Sequence, residues 1–309
     1  MPSLSVGGVS SGLMIWNLGN DGNKLTFTDV KGNFDVNFGK LAAKCLLESI
    51  VYRPNALIFD VDGTLADTER DGHRVAFNRA FGEAGLDWDW SVDLYGRLLS
   101  VTGGKERIQY FLDEFHRSFR RPEDLNGFIA DLHRSKTRHY MAMMAEGAIP
   151  LRPGVRRLLE EARAAGVRLA IATTTTPENV TALIGSTLPA GAVGWFEVIG
   201  AGDIVERKKP APDIYSWVLQ QMSLKPQEVM AFEDSAHGVT AAHQAGISQI
   251  VVTVNDYTRS QDFADAAVVL DHLGECDSPA TALAGEAPRD GVVNLSYLEM
   301  LFNAERIEV

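Results

Sequence analysis

Cysteine is scarce in this chain: 309 residues hold only Cys45 and Cys276, far apart and in no metal-binding or redox spacing. That argues against a disulfide framework or a thiolate metal site, and reduced thiols are expected. Long hydrophobic runs are missing as well, and no stretch approaches the roughly 20 apolar residues of a membrane-spanning helix, so no membrane role is expected. Basic charge is in deficit, with 29 Lys and Arg against 41 Asp and Glu and a formal net charge of -12. Phosphate backbones are bound by basic surface that releases counterions, so a nucleic-acid partner is not expected. A small anionic substrate needs only a local concentration of basic residues. The opening residues lack the basic start and apolar core of a secretory signal and are poor in arginine, and a cytoplasmic monomer is expected.

What remains is an ordinary globular composition, 45% apolar and 23% charged, with a length that suits a core domain carrying an insertion. Residues 1–54 read as an extension of unassigned role. Within it KLTFTDVKGNFDVNF alternates on both sides of Lys31-Gly32-Asn33, as a hairpin does, and GKLAAKCLLESIVY follows as a short helix. From Ala56 the pattern changes to short apolar runs: ALIFD, VRLAIAT, FEVIGAG, EVMAFED, SQIVVTV and AAVVL. Such runs between amphipathic segments predict parallel strands buried on both faces, hence an α/β fold. In PGVRRLLEEARAAG, Val155, Leu158, Leu159 and Ala162 share a helical face, with Pro153 suited to the first turn and Gly166 to the stop.

Between the first and second runs lie about 100 residues, far more than a crossover helix requires. Their period is helical (AFNRAFGEAG, RIQYFLDEF, FIADLHRSKTRHYMAMMAEG), so 70–149 is predicted to be a helical cap inserted into a core of 55–69 and 150–274. Residues 275–309 turn polar and Pro/Gly-bearing before a short apolar end, LSYLEMLF, expected to dock on the core.

Ligands of open α/β sheets bind beyond the carboxyl ends of the strands. Asp60 and Asp62 end the first run, Thr173 the second, Lys208 and Lys209 follow the third, and Glu233 and Asp234 end the fourth. Four carboxylates converging at one edge repel unless a cation is present, and a hard, oxygen-seeking ion such as Mg²⁺ fits. With it, Asp60 suits attack on phosphorus, and Asp62 suits protonation of the leaving oxygen and deprotonation of water. Thr173 and Lys209 suit the phosphoryl oxygens, and Gly63 lets the backbone turn away.

DVDGT, Thr173 after an apolar strand, KKPAPDIY and FEDS, in that order, resemble the four motifs of the haloacid dehalogenase-like superfamily of phosphotransferases. The resemblance implies a Rossmann-like parallel-sheet core, a mobile cap, Mg²⁺ dependence and phospho-aspartate chemistry. It implies Asp60 as nucleophile and Asp62 as acid/base, with Asp60, the backbone carbonyl of Asp62, Glu233 and Asp234 around the metal. More narrowly, ADTERDGHRVAFN, TGGKERI, LHRSKT, MAEG and AIATTTTPENV resemble the CbbY-like phosphatases, neighbours of β-phosphoglucomutase, over about Ala56 to Leu273. That subgroup implies a phosphosugar substrate, xylulose 1,5-bisphosphate, whose removal protects the carboxylating enzyme of the Calvin cycle. Carried over, Glu69 and His73 meet substrate hydroxyls or the remote phosphate. Gly103, Gly104, Lys105 and Arg107 grip the second phosphate, with Arg97 and Lys136 as further candidates and Thr174 and Thr175 beside the core. Thr174 to Thr176 before Pro177 also suit a helix cap. The alternatives are a β-phosphoglucomutase-type mutase, a broad-specificity sugar-phosphate phosphatase, and a non-catalytic protein that retains the fold.

Overall fold

The computed structural model describes residues 52–101 and 103–304, together with the backbone of four strands before them. Those four are β1 (Leu4–Val6), β2 (Met14–Leu18), β3 (Lys24–Asp29) and β4 (Gly32–Asn37), an antiparallel meander in sequence order. The expected hairpin is β3–β4, but Gly32 and Asn33, expected in the turn, are the first residues of β4, paired with Asp29 and Thr28. The short helix read after it lies outside the described residues. Residues 1–53 with 303–309 form one compact unit and 54–302 another.

In the second unit each apolar run becomes a strand: β5 (Ala56–Phe59), β6 (Arg168–Ala172), β7 (Phe196–Gly200), β8 (Val229–Glu233), β9 (Ile250–Thr253) and β10 (Val268–Leu270). A further strand, β11 (Ala282–Ala284), pairs antiparallel with β10 and completes a seven-stranded sheet of order β11-β10-β9-β8-β5-β6-β7. The sequence places that segment in the polar tail. Its three residues are half-buried or exposed, so they carry no buried-strand signature. The four residues of β5 are fully buried, as a central parallel strand requires.

A π-helical segment, Thr68–His73, leads from β5 into α1 (Arg74–Glu83), α2 (Val92–Leu98), α3 (Gly104–Tyr110) and the long α4 (Leu125–Ala145). This insertion has its own apolar core around Phe77, Phe81, Trp88, Trp90, Tyr95 and Phe111. Edge-to-face pairs such as Trp88–Phe111 at 5.3 Å give that core directional packing beyond area burial. The remaining helices are α5 (Val155–Ala164), α6 (Pro177–Thr187), α7 (Asp213–Met222), α8 (Ala236–Gln244) and α9 (Leu295–Ala304). Val155, Leu158, Leu159 and Ala162 are buried on one face of α5 as their spacing predicts, although Pro153 stands ahead of its cap residue, Gly154. The C-terminal apolar end docks on the core as expected, with the Leu295 amide donating to Glu161 Oε1 at 3.0 Å.

Both strands of chain joining the insertion to the sheet are fastened at one point. Ala66 bridges Leu151, and the Arg152 amide donates to the Leu65 carbonyl at 2.8 Å. The buried Arg152 guanidinium donates to the carbonyls of Gly63, Thr253 (2.9 Å), Val254 (2.6 Å) and Asp271 (2.7 Å), and its Nε lies 3.5 Å from Asp67. Burying a guanidinium is costly unless every donor is used. Here the donors tie the loop after β5 to the ends of β9 and β10.

Candidate functional site

Strand register brings the four motifs together. Phe59 lies opposite Ile171 on one side and Phe232 on the other, so Asp60 leaves β5 beside Glu233 and one residue from Thr173. Lys209, in the loop between β7 and α7, crosses to them: its Nζ is 2.6 Å from Asp60 Oδ1 and 2.6 Å from Glu233 Oε1. Its side chain is 8% exposed and that of Glu233 0%, so this is a desolvated network with little screening. Asp234 completes it, and ligand oxygens of Asp60, Glu233 and Asp234 all lie within 4.8 Å of one another.

Two glycines make the crowding tolerable. A Cβ on Gly63, which has φ +85°, would meet Asp234 Oδ2 at 2.2 Å, and one on Gly238 would meet Glu233 Oε2 at 1.8 Å. Neither position has room for a side chain.

Burial raises the Glu233 carboxyl to about 7 against the pull of Lys209, with Asp60 adding to the rise. Asp234 is pushed well up by burial, by Asp60 and by Glu233. The donor set is therefore all-oxygen, concentrated and short of positive charge, which fits a hard divalent cation. Asp62 stands apart from that side-chain cluster. Its Oδ1 accepts from the Thr68 hydroxyl at 2.6 Å. Burial, and then the charge of Asp60, raise the Asp62 carboxyl to about 7.

Thr173 is buried at the end of β6, its amide donating to the Gly200 carbonyl at 2.9 Å and its hydroxyl accepting from Thr175 N at 3.4 Å. The Thr175 side chain lies near enough to the Asp62 carboxyl to lower its pKa, which places it at the site. Thr176 caps α6 with Pro177 in its first turn, so the capping reading holds for Thr176. Thr174 is exposed. Lys208, unlike Lys209, turns to the Gly202 carbonyl and to Asp203 at 2.9 Å.

Across from the carboxylates, the cap contributes a second polar cluster. Glu69 Oε2 accepts from Tyr95 OH at 2.5 Å, and Arg107 Nη1 donates to the same hydroxyl at 2.7 Å. His73 stacks on Tyr140 with ring centroids 4.0 Å apart, and its Nδ1 meets Lys136 Nζ at 2.9 Å. Burial pushes His73 down to about 4 and, with Lys136 and Arg107 adding to the fall, leaves a neutral ring that accepts at Nδ1. Burial also brings Lys136 down to about 8.

Two expected cations are not in this cluster. Lys105 and Arg107 are two residues apart on α3, hence roughly 200° apart around the helix. Arg107 is buried at the cluster, whereas Lys105 is exposed and lines a separate groove with His133, Arg134 and Arg138. Tyr95 and Arg97 repeat the pattern on α2, with the exposed Arg97 guanidinium 4.6 Å over the Phe115 ring. Gly103 and Gly104 stand at the head of α3, the latter against the His133 ring.

Three groups at the site escaped the sequence reading. Tyr215 OH donates to Glu233 Oε1 at 2.5 Å beneath the Lys209 ammonium, which lies 5.2 Å from its ring. Asn255 Nδ2 donates to Asp234 Oδ2 at 2.7 Å. Tyr95 bridges Glu69 and Arg107. Tyr215 and Tyr95 sit in apolar helical patterns and read as core; Asn255 follows an apolar run and reads as a turn residue.

A sheet edge carrying a lysine-bridged carboxylate cluster, with a helical segment inserted between β5 and β6, defines a class of protein. Residues 54–246 match the model of the haloacid dehalogenase-like hydrolases, and the chain belongs to that family. It is an enzyme, a hydrolase of phosphoric monoesters. Among curated proteins it is 50% identical over 211 residues to the protein CbbY of Rhodobacter capsulatus, covering 68% of this chain and 90% of that one. Among solved structures it matches a CbbY variant from Rhodobacter sphaeroides in complex with xylulose-(1,5)bisphosphate, with 46% identity, a TM-score of 0.59, and coverage of 72% of this chain and 96% of that one. A β-phosphoglucomutase from Clostridium difficile, at 17% identity and TM-score 0.54 over 82% of this chain and 99% of that one, shares the fold.

Proposed function

We propose that this enzyme hydrolyses a sugar bisphosphate, xylulose 1,5-bisphosphate, with Mg²⁺ and through an aspartyl-phosphate on Asp60. The observation that carries the reading is the lysine-bridged pair of Asp60 and Glu233 with Asp234 alongside, and cationic Arg107 and Lys136 gathered on the cap near Glu69, which lines one cavity with Asp62 and Asp234. A CbbY relative in complex with xylulose-(1,5)bisphosphate supports the substrate. Two phosphates need two anion sites, and an acidic chain supplies the second only by concentrating buried cations locally.

In the first step an Asp60 oxygen attacks phosphorus, the bond to the sugar oxygen breaks, and that oxygen takes the Asp62 proton. A carboxyl held up at about 7 keeps that proton near neutrality. In the second, water attacks the aspartyl-phosphate, gives its proton to Asp62, and frees Asp60 and inorganic phosphate. Asp60, Glu233, Asp234 and the Asp62 carbonyl would hold Mg²⁺, which supplies charge neutralisation at the phosphoryl oxygens when bound. Lys209 and Thr173 hold the same oxygens, and the cap excludes bulk water.

Release of phosphate with Mg²⁺ across pentulose, hexose and triose mono- and bisphosphates tests the reading. A strong preference for xylulose 1,5-bisphosphate is expected. Broad weak hydrolysis, or isomerisation of a hexose phosphate without phosphate release, would overturn the substrate assignment.

A pH dependence follows from the cap. The Lys136 ammonium is charged below about 8 and neutral above it, because burial disfavours the cation. The free enzyme should therefore lose kcat/KM for the bisphosphate as the pH rises past about 8, mainly through KM. Lys136→Met should remove that alkaline limb. A wild-type profile that stays flat to about pH 10 would contradict it.

A further inference from the structure

Beyond β9 the chain makes a tight turn whose residues face two ways. Asn255 is fixed on the core side: its backbone N–H donates to Thr258 Oγ1 at 3.0 Å, and its Oδ1 accepts from Tyr257 N at 2.9 Å. With the side-chain oxygen occupied, the Asn255 NH₂ is aimed at Asp234 Oδ2, 2.7 Å away. The two residues between face the cap. Asp256 Oδ2 accepts from Arg70 Nη1 at 3.0 Å, and Arg70 belongs to the π-helical segment that begins the cap. The Tyr257 ring lies 5.9 Å from the Tyr95 ring and against Gly96, where a Cβ would come within 3.1 Å of it. Tyr95 in turn carries the bonds to Glu69 and Arg107.

One turn thus touches the cap through Asp256 and Tyr257 and a carboxylate of the metal cradle through Asn255. Between the two sides lies a cavity of about 200 Å³, lined among others by Asp62, Glu69, Asp234, Asn255 and Tyr257. The base of the turn is anchored, since Arg152 holds the Thr253 and Val254 carbonyls. Movement at the cap contact is therefore passed to the tip of the turn, and the Asn255 amide, held at its oxygen by Tyr257 N, passes it to Asp234.

We propose that Asn255, Asp256 and Tyr257 are positioning residues that couple docking of the cap on the core to the placement of Asp234. Cap docking holds the tip of the turn in place, and with the cap undocked the turn, and with it the Asn255 donor to Asp234, loses that hold. Groups that orient a metal-binding carboxylate are worth about 10- to 100-fold in metal affinity, so the coupling is measurable. The inference rests on the reading of Asp234 as a metal ligand.

The test is Mg²⁺ affinity by calorimetry on the full chain without substrate, with thermal melting as a check on folding. Asn255→Ala should weaken Mg²⁺ binding about tenfold and Tyr257→Ala about fivefold, while the half-exposed Asp256→Asn should cost about twofold. In the Asn255→Ala background, Tyr257→Ala should have no further effect, because the link is already cut; a merely structural loss would add. Wild-type Mg²⁺ affinity in folded Tyr257→Ala and Asp256→Asn, or additive losses in the double variant, would overturn the coupling. Unchanged Mg²⁺ affinity in Asp234→Asn would instead sink the metal-ligand reading beneath it.

Discussion

Asp60→Asn is expected to abolish phosphate release, by about 10⁴-fold or more, with no loss of stability. An amide is too weak a nucleophile to attack phosphorus, and no neighbour can replace it. The Asp62 carboxylate is held by Thr68, and those of Glu233 and Asp234 are engaged by Lys209, Tyr215 and Asn255. The fold should survive because the substitution removes one negative charge from a cluster in which Asp60 raises the pKa values of Asp62, Glu233 and Asp234. Steady-state assays paired with thermal melts check both halves. Residual activity within about tenfold of wild type would require another nucleophile.

Lys209→Met should inactivate the enzyme and also destabilise it, by about 3 kcal/mol in the presence of a chelator. It strips the shared cation from Asp60 and Glu233 at a buried position where desolvation is not recovered. The loss should depend on pH with a definite sign. Glu233 has a folded pKa of about 7 even with Lys209 present, above its ordinary value of 4.5, so the folded state binds more protons between those limits and stability falls as pH rises through them. Without Lys209 the carboxyls move higher still. The gap between variant and wild type should therefore widen above about pH 7 and narrow toward about pH 5. Added Mg²⁺ should close part of it. Denaturant midpoints at the two pH values measure this, and a gap that is constant with pH would contradict the account of the network.

How much of this was legible in the sequence depends on the kind of signal. The buried strands were, because burial on both faces leaves uninterrupted apolar runs, and their ends delivered Asp60, Thr173, Glu233 and Asp234 to one edge. β11 was not, since an edge strand of three half-buried or exposed residues needs no such run. Within the cap, residue type was legible but direction was not. Arg107 and Lys105 read alike, with Arg97 a further candidate, and the helical angle buries the first and turns the other two outward. Tyr95 and Tyr215 count as core by composition, and only the fold reveals that their hydroxyls emerge against Glu69 and Glu233. Arg152 anchors both linkers through backbone carbonyls that no sequence pattern marks.

The most direct measurement is acid quenching of the full-length enzyme during its first turnover of xylulose 1,5-bisphosphate with Mg²⁺, followed by peptide mass spectrometry. A phosphoryl group on the peptide carrying Asp60, absent without Mg²⁺ and absent in Asp60→Asn, is the expected result. Phosphate release at the wild-type rate with no such adduct, or an adduct on another residue, would contradict hydrolysis through Asp60.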